Sequence, residues 1–146
     1  MSYTVDDIFD AEIDNDVYMM AASNIEENEN FVIQPPAFFR YFENLKKIPF
    51  EVTVIKPSQF YGSTGLIPVK TTPDKDVFKT KDYHQLADAP LMYNVPDTTF
   101  VNVGNTKVLI SVYSPNKAVT SSFLASQFEK MLQAQKSYPT LVLASR

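Results

Sequence analysis

The sequence predicts an α+β domain: a mixed or mainly antiparallel sheet of four to five strands, two or three helices and a C-terminal strand–helix–strand unit. Three observations carry that expectation. The 146 residues are 45% hydrophobic and 21% charged, near the globular average, so the chain can bury a core without staples. Stretches of helical and of alternating periodicity follow one another along the chain. Ten prolines against three glycines punctuate those stretches and leave few places for φ > 0.

Val5, Ile8, Phe9, Ile13, Val17 and Met20 trace one helical stripe over residues 5–22, with Asp6, Asp7, Asp10, Asp14 and Asp16 largely off it. Thr4 is placed to cap that helix, and the acids of its first turn suit its positive end. Residues 24–30 (NIEENEN) read as a polar acidic loop or hinge. Phe31 to Gln34 reads as a short extended piece, and Pro35 and Pro36 open a second helix over 37–47, which Pro49 stops. Glu51 to Ile55 (EVTVI) alternates as a strand does. Residues 58–97 are proline-broken, with extended pieces at 66–70 and 77–80 and a helical turn near 83–89.

The last third has the clearest pattern. Thr99 to Val103 and Thr106 to Tyr113 flank Gly104-Asn105, a pair suited to a tight hairpin. A helix follows over 118–136, capped by Thr120 or Ser121, with Phe123, Leu124, Phe128, Met131 and Leu132 on its buried stripe. Thr140 to Ala144 (TLVLA) reads as a final strand reached by a crossover. The organisation expected is an acidic helix or arm over 1–30 and a single globular α+β domain over 31–146.

Charge is distributed unevenly. Of 17 acids, nine stand in the first thirty residues with no Lys or Arg, so the remaining 116 hold eight acids and all thirteen bases. The formal charge of −4 thus divides into −9 and +5, which points to a contact surface more than to chemistry. The absence of cysteine removes disulfides, thiolate catalysis and Cys-based metal sites. No apolar stretch reaches the ~20 residues of a membrane span, and the start MSYTVDDIFD lacks the pattern of a secretory signal. A cytoplasmic protein, or one assembled into a particle inside the cell, is expected, with no cofactor and no membrane.

Motifs of reaction chemistry fail on inspection. Asp10, Glu12, Asp14 and Asp16 are spaced like the first calcium-loop ligands, but Asn15 stands where the turn glycine belongs and Ala21 where the bidentate Glu belongs. Gly62-Ser-Thr-Gly65 lacks the Lys and the strand–loop–helix context of a phosphate loop and reads as a surface turn. Asp74-Lys-Asp76 reads as a loop. His84 is the one histidine, with no nucleophile motif to serve.

The expected function is therefore a non-enzymatic interaction or assembly role. The acidic amphipathic arm would be its contact element, through Val5, Asp6, Ile8, Phe9, Asp10, Ile13, Asp14 and Val17, on a protein partner or on another copy of the chain. Phe- and Tyr-rich, glycine-poor, cysteine-free composition suits a small phage or viral protein. A second reading is a single-stranded nucleic-acid-binding module in segment 38–61, stacking bases beside cations through Phe39, Arg40, Tyr41, Lys46 and Lys47. A third is a small hydrolase using His84 or paired carboxylates.

Overall fold

The structure, a computed structural model, describes residues 2–5 and 23–137. Among them the chain divides into two compact units, Met1–Val95 and Pro96–Arg146. The fold is mixed α+β, and every strand pairing among the described residues is antiparallel.

In the first unit, β1 (Asn24–Glu26), β2 (Asn30–Ile33), β7 (Leu91–Asn94) and β4 (Tyr61–Thr64) form a sheet in the order β1-β2-β7-β4. The second sheet has the order β3-β6-β5, from β3 (Phe50–Ile55), β6 (Lys75–Thr80) and β5 (Pro68–Thr72). Both sheets feed one core. Ile33, Leu91 and Tyr93 from the first meet Val52 and Phe78 from the second, with Phe60, Leu66 and Leu86 closing the sides. The alternation of β3 explains its place: Val52 opposes Phe78 inside, while Glu51 and Lys79 pair outside at 3.2 Å. β5 is an edge strand, and Pro68, a register shift between Pro68 and Lys70, and Lys70 itself blunt it against further pairing.

Lys56 links the turns that flank β4, β5 and the second sheet. Its ammonium is buried and donates to the Phe60 and Pro73 carbonyls, each at 2.9 Å. The short helices α1 (Pro35–Phe38) and α2 (Tyr83–Ala87), which contact each other, complete the unit.

The second unit is a hairpin, β8 (Thr98–Val103) and β9 (Thr106–Ser111), with α3 (Ser121–Ser137) packed on it. Gly104 takes φ 61° at the first position of the two-residue turn, as glycine allows without strain. Val101, Ile110 and Ala125 are its buried centre.

Several expectations change. The acidic stretch 24–30 is a hairpin rather than a hinge, turning at Asn28 with φ 63°, a conformation asparagine tolerates. The second helix over 37–47 shrinks to the one turn of α1. Phe39 is already extended (φ −104°, ψ 109°), and an α-helix would set Phe38 and Phe39 about 100° apart instead of packing both against the same core. Gly62 to Thr64 is strand, not turn. A Cβ on Gly62 would stand 2.6 Å from the Tyr93 ring, whereas at Gly65 nothing lies within 4 Å of that position.

The buried stripe of α3 is rotated from the one expected. Phe123, Phe128 and Met131 are exposed, and Ser121 and Ala125 face inward. The cause is polar: the Asp97 carboxylate accepts from the Ser121 N–H and hydroxyl, and Ser121 and Thr99 hydroxyls lie 2.7 Å apart, which fixes the rotation of the helix. The strand predicted over 140–144, and so the second strand of the strand–helix–strand unit, lies outside the described residues, as do residues 6–22 of the predicted acidic helix. No helix among the described residues is long and apolar enough to cross a membrane.

Candidate functional site

The segment between α1 and β3 is held open by one residue. Tyr83, the first residue of α2, donates its backbone N–H to the Lys46 carbonyl at 2.9 Å and its hydroxyl to the Phe39 carbonyl at 3.0 Å. Its two donors thus grip the segment at both ends. The Tyr83 ring adds aromatic contacts, with the Tyr41 ring tilted against it at a centroid distance of 4.3 Å and the Phe50 ring edge-on at 5.9 Å. Burial pushes the Tyr83 phenol above its ordinary value, and the nearby Tyr41 pushes in the same direction.

Between those anchors the chain makes a 3₁₀ turn over Glu43–Leu45. The Leu45 N–H donates to the Phe42 carbonyl at 2.8 Å, and the Ile48 N–H to the Leu45 carbonyl at 3.5 Å. Two successive i→i+3 closures follow one another here, with Phe42 extended at the start of the 3₁₀ turn, Leu45 at its end and Ile48 beyond it. All three are exposed. Lys46 bridges to Glu43 at 3.0 Å and lies 4.5 Å above the Tyr41 ring. The Glu43 hydrogen bond, then that to Tyr41, raises the Lys46 pKa.

The groups named from sequence are placed as follows. Val5 is half-buried in the short described stretch 2–5, whereas Asp6, Ile8, Phe9, Asp10, Ile13, Asp14 and Val17 lie outside the described residues. Of the base-stacking set, Phe39 packs against the core. Tyr41 and Lys46 are engaged with each other and with Tyr83 and Glu43, while Arg40, Phe42 and Lys47 are exposed.

His84 is exposed on α2 and borders an open depression of about 360 Å³ with Lys81, Asp82, Gln85 and Asp88. Among the described residues no hydroxyl or thiol lines it, and Asp82 caps α2 by accepting from the Gln85 N–H at 2.8 Å. Asp74 and Asp76 have different surroundings. Asp74 accepts from the Thr72 hydroxyl at 2.6 Å, which holds its carboxyl below the usual range, while Asp76 is buried beside Tyr93. Among the described residues no group of three or more His, Cys, Asp or Glu is placed to hold a metal ion.

Sequence reasoning missed Tyr83, because nothing local marks a tyrosine as a two-ended anchor 44 residues from Phe39. Phe38, Phe42 and Leu45 also stand at helical spacing and read as a stripe facing the core, whereas Phe42 and Leu45 are exposed.

Comparison with known proteins adds the family. Residues 1–95 match the Peptidase M61 N-terminal domain. No protein of curated function matches the sequence. Among solved structures, an aminopeptidase N family protein from Idiomarina loihiensis is similar in fold, with a TM-score of 0.70 and 14% identity over 79% of this chain and 20% of that one. The chain therefore spans about a fifth of the length of that structure. These matches overturn the expectation of a non-enzymatic phage or viral assembly protein. Composition suggested that class, but composition is shared by unrelated folds. With two-thirds of its length matched, this chain belongs to the Peptidase M61 N-terminal domain family.

Proposed function

We propose that the chain is an accessory domain of a peptidase, itself without the bond-breaking groups, which docks on a catalytic domain and supports peptide hydrolysis there. The observation that supports this most strongly is a coincidence of boundaries. The family match ends at residue 95, where the first compact unit of the structure also ends. The sequence is consistent with a supporting role: it contains one histidine, and the two-histidine helix motif of many metallopeptidases needs two.

The test is hydrolysis of aminoacyl-anilide and short peptide substrates by the chain alone, by the peptidase catalytic domain from the same source, and by the two together. The expected result is no turnover by the chain alone and a change in kcat/KM or thermal stability when the two are combined. Turnover by the purified chain alone would refute the accessory role. So would a catalytic domain indifferent to its presence.

A further inference from the structure

The segment held by Tyr83 presents an apolar ridge to solvent. Phe42 is 75% exposed, Leu45 39% and Ile48 44%, all within one short segment closed by two i→i+3 hydrogen bonds. An exposed Leu or Phe by itself means little, since much of any protein surface is apolar. Here three large exposed side chains fall within one short segment whose backbone is tied at Phe39 and Lys46. Tyr83 pins the segment at Phe39 and Lys46, the Tyr41 ring leans on Tyr83, and Lys46 closes over Tyr41 onto Glu43. Pre-organisation of this kind lowers the ordering cost of association.

We propose that this ridge is the docking element for the peptidase's catalytic domain, seating Phe42, Leu45 and Ile48 in an apolar groove whose rim carries carboxylates. The proposal rests on the accessory-domain reading above and names the surface it uses. The rim chemistry follows from charge. Arg40 and Lys47 flank the ridge, both exposed and neither in an ion pair among the described residues, while Lys46 is occupied by Glu43. An acidic rim would give those two cations partners and would steer association. A second copy is a poor occupant. Two ridges meeting about a two-fold axis would set Arg40 and Lys47 of one copy against the same cations of the other.

The experiment is titration calorimetry of the full chain against the peptidase catalytic domain from the same source, at low and at physiological salt. Wild type should form a 1:1 complex. Phe42→Asp and Leu45→Asp should each weaken it at least tenfold, and Arg40→Glu with Lys47→Glu should weaken it and flatten its salt dependence. Thr53→Asp, on the outer face of β3, should bind as wild type. Circular dichroism checks each fold. Should Leu45→Asp melt early, Phe42→Asp at the most exposed position reads the same surface.

A complex formed equally well by Phe42→Asp and Leu45→Asp would overturn the ridge and leave the accessory role standing. No complex with wild type would overturn both. Light scattering that shows a dimer lost on Phe42→Asp would assign the ridge to self-association instead. Sedimentation with anionic phospholipid vesicles, lost on the same substitution, would assign it to a lipid surface. Either result overturns the proposed occupant.

Discussion

Tyr93 is wholly buried, and its hydroxyl has no hydrogen-bond partner at bonding geometry although the Asp76 carboxylate lies beside it. Burial first, and then the charge of Asp76, pushes the phenol's ionisation well above the ordinary value. The folded state therefore holds this proton more tightly than the unfolded chain, whose tyrosines ionise near about 10. The contribution is complete below that pH and is lost as pH rises beyond it. Urea midpoints should hold steady to about pH 9 and fall above about pH 10, and Tyr93→Phe should fall less steeply. At neutral pH the same substitution should change stability by less than about 1 kcal/mol, since the hydroxyl forfeits no bond. Gly62→Ala is the contrasting case. Its methyl would meet Tyr93 Cε1 at 2.6 Å and Asp76 Oδ2 at 2.9 Å, and overpacking of that kind costs about 1–3 kcal/mol in chemical unfolding.

At the scale of elements, side chains that close turns and helix ends matter more than the stripes read from periodicity. Asp97 caps α3 through the Ser121 N–H and hydroxyl, the latter at 2.6 Å. Asp97→Ala should cost about 1–2 kcal/mol and lower helical ellipticity on heating. Lys56→Met removes two donors from the Phe60 and Pro73 carbonyls. It should cost about 2–3 kcal/mol, read as an earlier urea midpoint, because both carbonyls lose a charged partner. The same contrast explains what was legible in the sequence. The strand at 51–55, the hairpin around Gly104, the turn at 83–87 and the long last helix were readable because their signals are local: alternation, turn chemistry and helical spacing. β1, β4 and β7 were hidden. β1 lies in a run of amide and acidic residues, β7 pairs with β2 and β4 far along the chain, as between Asn30 and Asn94, and β4 carries Gly62 and Ser63, residues of low strand preference. The ridge went unread for a related reason. Phe38, Phe42 and Leu45 also fit a helix, and only the distant Tyr83 turns the segment into 3₁₀ geometry.

For the whole molecule, the agreement of the family boundary with the first compact unit implies that residues 1–95 carry their own core. A fragment of residues 1–95 should give a dispersed amide spectrum that overlays the corresponding peaks of the full chain. A collapsed spectrum would mean that the core needs the rest of the polypeptide. The open space at Gly65 also has a practical consequence. The chain contains no thiol, and a side chain at that position meets nothing within 4 Å. Gly65→Cys would thus give a single attachment point for a fluorophore or spin label beside α2. One covalent tag, free of background labelling, would then let the protein report its own encounters in solution.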